Sequence, residues 1–213
     1  MKKIILFMLL LTMAVSARTF TKQEKKEMLK QFTEFQDIVK NKDKDGFISM
    51  LESPNIEGIY LIMGVISEED EKELESDSNG IIITEKLVRN HSSKIFDDLD
   101  VLNKIKIDLN TGKITNYFVD TATKEDKKKK YYFDKSNDSY FFYNDKNEKE
   151  YLENLRIWDK RIDLEFMDEG LYVMNYLSPN KLTPEESFMG SGFVYEFKFE
   201  NNKLKLSAMY VND

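Results

Sequence analysis

Residues 41–52 place oxygen donors at a spacing that suits a calcium ion. The segment offers side-chain oxygens at its first, third, fifth, ninth and last positions and a carbonyl at its seventh; the residues are Asn41, Asp43, Asp45, Phe47 (through its carbonyl), Ser49 and Glu52. Calcium takes about six to eight oxygen ligands, and Gly46 at the sixth position would let the chain bend around the ion. The spacing therefore predicts a calcium site that stabilises the protein.

The same segment also fits a plainer role as a link between two helices. Its spacing resembles the calcium loop of EF-hands, but Asn41 stands where that loop begins with aspartate. Pro54 follows so soon after the segment that an exiting helix could hardly form. In this second interpretation Asp43 or Asp45 caps a short helix. We favour capping and keep calcium as the alternative.

Aromatic residues fill two neighbouring segments, 130–134 and 139–144, on either side of turn-type residues. A loop over 135–138 predicts a hairpin in which Phe133 lies opposite Tyr140. The residues Tyr132, Phe141 and Tyr143 then share the other face. Because a half-exposed sheet normally has one polar face, the hairpin is either sandwiched between layers or offers an aromatic face to a ligand. Burial is the commoner outcome; exposure would make these three residues the candidate binding site.

Signals for catalysis are weak. His91 is the only histidine, it lies on the apolar side of a predicted helix, and the chain has no cysteine, so zinc sites of the usual kinds are excluded. Carboxylates leave a hydrolase as a third possibility, with a cleft covered by the long loop 178–192. Asp163 and Glu165 lie on the same side of a predicted strand, and apolar residues lie on its opposite side. This pattern is typical of a strand whose charged side faces solvent.

Helices are predicted before strands along this chain. Thr21 and Glu24 form a capping box, followed by an apolar stripe to about Lys40, and a second stripe indicates a helix over 84–102. The apolar segment 56–66 predicts a buried strand. Beyond Lys104 apolar and polar residues alternate, and four turn signals predict an antiparallel meander; they lie at 110–112, 135–138, 167–170 and 201–202.

This order of elements predicts an α+β fold: N-terminal amphipathic helices packed on a curved antiparallel β-sheet. By analogy of element order alone, the sheet could wrap into a cone, as in nuclear-transport-factor-like folds. We expect a single domain over 18–213, with a subdivision near 121–130 as the alternative. The segment 113–120 is expected to be one continuous strand.

The first seventeen residues have the layout of a secretory signal peptide. A basic head is followed by an apolar run and then by small residues, and cleavage would leave Arg18 first. The pattern predicts export to the periplasm or the cell surface, and the richness in lysine, asparagine and isoleucine suggests a bacterium. Without cysteine the exported chain has neither disulfides nor a lipid anchor. No transmembrane segment is expected after cleavage.

The net charge of the chain argues against one class of partner, nucleic acids. With a formal charge of −7, the chain is a poor candidate for nucleic-acid binding, which requires a basic face. The lysine run 127–130, beside the aromatic hairpin, could nevertheless attract an anionic polymer. The sequence thus predicts an exported, non-catalytic protein that binds a partner protein or an apolar or polymeric ligand. The alternatives are a calcium-stabilised surface protein and a carboxylate hydrolase.

Overall fold

The computed structural model describes residues 18–52, 76–77, 80–81, 84–137, 139–152, 158–180, 182 and 192–212. Three sequence predictions fall outside these ranges: the signal peptide 1–17, the strand 56–66 and most of the loop 178–192.

The helices precede most of the strands, as predicted for an α+β fold. The helices are α1 (Lys22–Asn41), α2 (Lys44–Met50) and α3 (Glu85–Leu99), which runs into a 3₁₀ turn over Asp100–Lys104. The strands are β1 (Ser76–Asp77), β2 (Gly80–Ile81), β3 (Lys106–Asp108), β4 (Lys113–Thr115), β5 (Tyr117–Val119), β6 (Tyr132–Asp134), β7 (Ser139–Tyr143), β8 (Lys149–Leu152), β9 (Trp158–Met167), β10 (Gly170–Pro179), β11 (Gly192–Glu200) and β12 (Lys203–Asn212). Among the described residues no helix is both long enough and apolar enough to cross a membrane.

Helix α1 begins at the predicted capping box. The Thr21 hydroxyl accepts a hydrogen bond from the Glu24 amide, and the Glu24 carboxylate accepts one from the Thr21 amide at 2.8 Å. These bonds hold the pKa of Glu24 below its ordinary value, chiefly through the Thr21 amide. The apolar stripe of α1 is buried along its length: Met28, Leu29, Phe32, Phe35 and Val39.

A large antiparallel sheet, in the order β12-β11-β10-β9-β5, forms the other layer. Asn201 and Asn202 join β11 to β12 with positive φ angles of 52° and 59°, the backbone that a two-residue hairpin turn requires. Glu196 pairs with Ala208 but Phe197 pairs with Leu206, so Ser207 is an extra residue in β12. Such a bulge bends its strand and increases the twist of the sheet.

The predicted continuous strand 113–120 is wrong, because the chain changes sheets at Asn116. Before this residue β4 pairs with β3; after it β5 pairs with β9 at the edge of the large sheet. The Asn116 side-chain oxygen accepts a hydrogen bond from the Leu164 amide at 3.1 Å. A side chain therefore takes the place of a backbone partner, and the strand is interrupted there.

The core lies between the helices and the inner face of the large sheet. The ring of Phe197 meets Phe32 and Phe35 edge-on, at centroid distances of 5.3 and 5.1 Å. Phe35 also contacts Phe47 of α2, which in turn contacts Phe96 of α3. One chain of aromatic contacts thus joins the three helices to β11.

Phe197→Ala should lower the free energy of unfolding by about 3–5 kcal/mol, because it removes the ring that both α1 phenylalanines contact. Phe193→Ala on the same strand removes an identical side chain that is 40% exposed, and should lower the free energy of unfolding by only about 1–2 kcal/mol. Denaturant unfolding of both variants measures the difference. Similar losses would show that the Phe197 contacts do not dominate the core.

Candidate functional site

The predicted aromatic hairpin forms a separate small sheet with a strand that the sequence analysis missed. Phe133 pairs with Tyr140 and Tyr132 with Phe141, which is the predicted register. Strand β8 adds to the other edge of β7 and brings Tyr151 opposite Phe141. The signal for β8 was present: Asn147, with a positive φ of 61°, closes a turn just before it.

We call the four rings on one side of this sheet the aromatic face: Tyr132, Phe141, Tyr143 and Tyr151. Tyr132 and Phe141 are nearly parallel, with centroids 5.4 Å apart and an angle of 21°. Tyr143 stands almost perpendicular to both, 5.8 Å from Tyr132 and 5.6 Å from Phe141. Phe141 is buried, whereas Tyr143 and Tyr151 are 46% and 44% exposed. The three predicted residues are thus in mutual contact, and part of the face is open to solvent.

Two ammonium groups lie against these rings. Lys149 Nζ is 4.5 Å from the centroid of Phe141 and 6.0 Å from that of Tyr151, and Lys130 Nζ is 5.3 Å from that of Tyr132. An ammonium is attracted to the negative face of an aromatic ring at such distances. The face therefore presents half-exposed tyrosines beside fixed positive charge.

Asp134 is the carboxylate on the same side of the sheet, and its oxygens are already engaged. It accepts hydrogen bonds from the Ser136 hydroxyl and from the Tyr151 hydroxyl at 2.9 Å, while Lys149 Nζ lies 4.0 Å away. These groups, the Ser136 hydroxyl first, hold its pKa below the ordinary value for aspartate. Asp134 thus stays ionised near neutral pH and orients Tyr151.

The opposite side of the small sheet is more covered. Tyr131 and Phe142 are buried and in edge-on contact. Burial, together with a hydrogen bond from the Tyr131 hydroxyl to Asp126, raises the pKa of Tyr131 to about 12, so this hydroxyl remains a donor. Phe133 and Tyr140, also on this side, are half-buried. The exposed rings of the small sheet, Tyr143 and Tyr151, both lie on the aromatic face, which also contains the buried Phe141.

A buried network of hydrogen bonds joins residues 120–121, which precede the small sheet, to β9 and to Asn180. Asn180 donates to Asp159 at 2.6 Å and to Asp120 at 3.0 Å, and the Thr121 amide donates to Asp159. Asp159 and Asn180 are both buried. Lys127, the largest influence, helps to hold the pKa of Asp120 below its ordinary value. No sequence signal marked these residues, because they come from three separate parts of the chain.

The six residues of the calcium prediction lie on α2 or within three residues of its ends. Asp43 is the N-cap of α2 and accepts a hydrogen bond from the Gly46 amide at 3.0 Å, so the capping prediction is confirmed. Asp45 pairs with Arg89, Glu52 approaches Lys198, and the remaining three are Asn41 at the end of α1, Phe47 in the core and Ser49 on α2. In the described ranges no three acidic or histidine side chains converge to hold a metal ion. Calcium binding stays a prediction from spacing alone.

The carboxylates of the hydrolase alternative lie on the outer side of β9. Glu165 is exposed and Asp163 half-buried, opposite the buried Ile162 and Leu164, which agrees with the predicted solvated face. The Tyr176 hydroxyl donates to Asp163 at 2.7 Å. His91 is half-buried on α3. These groups have ordinary structural partners or positions, and the loop that would cover a cleft lies mainly outside the described residues.

Comparisons with known proteins add no identity to this site. The chain matches no protein-family model, no curated protein and no solved structure.

Asp43→Ala should lower the free energy of unfolding by about 0.5–2 kcal/mol, since it removes the N-cap of α2. Because the loss arises from capping, thermal melting should show it equally in millimolar calcium and in chelator. Asp45→Ala, which breaks only an exposed ion pair with Arg89, should cost less than about 1 kcal/mol. A calcium-dependent rise in the melting temperature that disappears in Asp43→Ala would instead establish the metal site.

Asn180→Ala should cost about 1–3 kcal/mol, because it leaves the buried carboxylate of Asp159 short of a hydrogen-bond donor. A suitable control is Asn103→Ala, whose amide donates to the solvent-facing carboxylate of Asp100 and should cost under about 0.5 kcal/mol. Equal losses in denaturant unfolding would show that the buried network does not stabilise the fold.

Proposed function

We propose that this protein is an exported, non-catalytic binding protein that holds its ligand on the aromatic face. The observation that carries the proposal is the exposure of Tyr143 and Tyr151, which both contact the buried ring of Phe141. Aromatic side chains with a polar tip suit a surface that is wet when free and covered when occupied. Rings held by their neighbours also lose little further freedom on binding.

The position of the rings supports a role apart from the main core. The hydrophobic cluster that joins the helices to the large sheet contains, among the described residues, none from β6, β7 or β8. Packing across the strands stabilises the small sheet itself, but that role needs only the contacting parts of the rings. The exposed halves of Tyr143 and Tyr151 provide apolar area for a ligand.

Binding is favoured over catalysis by the state of the polar groups nearest the face. Asp134 has a lowered pKa and is engaged by Tyr151 and Ser136, which makes it a poor general base or acid near neutral pH. Its role is to orient a ring. Export is supported by the basic head, the apolar run and the small residues of segment 1–17.

Tyr143→Ala with Tyr151→Ala should abolish binding, because it removes the exposed rings and leaves the buried Phe141 in place. Affinity electrophoresis tests this with native gels that contain, one at a time, a neutral glucan, polygalacturonate, poly-glutamate or single-stranded DNA. We expect the wild-type protein to be retarded by at least one polymer and the double variant to migrate freely.

The matched control removes two equally exposed rings from the large sheet. Phe118 and Phe193 are 51% and 40% exposed, so Phe118→Ala with Phe193→Ala should leave the retardation unchanged. Equal loss in both double variants, or retardation of the wild type by none of the polymers, would refute a ligand-binding role for the aromatic face.

A further inference from the structure

We infer that the ligand of the aromatic face is an acidic polysaccharide, whose sugar rings contact the exposed tyrosines and whose carboxylates bind Lys130 and Lys149. This inference rests on the proposed function and names its ligand class. It combines two features of the face, open aromatic rings and nearby ammonium groups, that a single polymer repeat can satisfy together.

The lysines supply the first argument, charge complementarity. Lys130 Nζ is held over Tyr132, and Lys149 Nζ over Phe141, with its carboxylate partner Asp134 only at 4.0 Å. The oxygens of Asp134 are already shared with Ser136 and Tyr151. Both ammonium groups therefore retain N–H groups that can donate hydrogen bonds to an incoming carboxylate. Such charge-assisted hydrogen bonds are stronger than hydrogen bonds between neutral groups.

The local charge supplies the second argument. Residues 124–152 contain eight lysines and seven carboxylates, within a chain whose formal charge is −7. Because salt screens charges beyond about 8 Å at physiological ionic strength, the near-neutral surroundings of the face decide what can approach it. A polymer with one charge per sugar meets Lys130 and Lys149 there, beside the carboxylate of Asp134, which Ser136 and Tyr151 already engage.

The aromatic rings supply the third argument. Tyr143 is nearly perpendicular to the stacked pair of Tyr132 and Phe141, at centroid distances of 5.6–5.8 Å, so the three rings form a corner. The negative faces of the exposed Tyr143 and Tyr151 can attract the C–H groups of a pyranose, and tyrosine hydroxyls can form hydrogen bonds with its oxygens.

A protein partner fits these residues less well. Protein interfaces are enriched in arginine and depleted in lysine, and in the described part of the chain the cations that lie over these four rings are lysines. Strand addition at the edge of β8 is also disfavoured, since Lys149 and Glu150 place charges along that edge. Nucleic acid is also disfavoured, because its closely spaced phosphates would be repelled by a chain whose formal charge is −7.

The test is calorimetric titration of the full-length protein with polygalacturonate and with the same polymer as its methyl ester, which keeps the sugar rings and removes the charges. Lys130→Gln with Lys149→Gln should weaken binding to polygalacturonate by about tenfold or more, because two charge-assisted bonds are lost. Near-ultraviolet circular dichroism checks that the rings remain packed in this variant.

The control changes the same net charge away from the rings. Lys128 pairs with Glu125 and Lys146 lies exposed in the turn before β8, so Lys128→Gln with Lys146→Gln should alter the affinity by less than about twofold. Tighter binding of the acid than of the ester, lost only in the Lys130 and Lys149 variant, would support the inference.

Other outcomes overturn it in distinguishable ways. Equal affinity for the acid and the ester would refute the acidic ligand but leave the aromatic face as a binding site for neutral polymers. Tighter binding of poly-glutamate or of single-stranded DNA than of polygalacturonate would replace the ligand class with a peptide or a nucleic acid. No binding to any of them would refute both this inference and the proposed function.

Discussion

The contact of Phe197 with Phe32 and Phe35 is the interaction on which the two layers depend. Most of the stability of an amphipathic helix in a protein comes from the packing of its apolar face, and the inner face of an antiparallel sheet must be covered. Polar contacts also hold α1 against the β11–β12 hairpin. The Gln31 side chain accepts a hydrogen bond from the Leu204 amide and donates one to the Asn202 carbonyl. Gln36 donates to two carbonyls at the end of the 3₁₀ turn. Hydrophobic contacts and hydrogen bonds to backbone groups thus stabilise the same packing of α1.

Aromatic residues serve two purposes in this chain, and the difference lies in what covers them. In the main core, phenylalanines contact one another between a helix layer and a sheet. In the small sheet, tyrosines dominate one side with no second layer among the described residues to cover them, and their hydroxyls and neighbouring lysines keep that surface hydrated. Choosing tyrosine in place of phenylalanine is what allows an aromatic cluster to remain at the surface.

The features that could be predicted from sequence are those determined by neighbouring residues. The capping box of α1, the Asn201–Asn202 turn and the pairing of Phe133 with Tyr140 all depend on short-range chemistry. The pairing of β5 with β9, and the network around Asn180, depend on residues far apart in the chain, which periodicity does not report. The calcium and capping interpretations used the same residues, and they differ only in whether Asp43 serves an ion or the amide of Gly46. Of the candidate site, three rings were predicted and Tyr151 was not.

The docking of α1 on β11 and β12 has a consequence for how the protein is made. Helix α1 leaves the ribosome long before the strands that cover its apolar stripe, and Gln31 must wait for Leu204, which is 173 residues further along. Contacts so distant in sequence form slowly, because a long loop must first close. Until then α1 has only the other helices and the 3₁₀ turn as partners, and the main core lacks its sheet layer. During this delay part of the apolar stripe of α1 stays exposed to solvent.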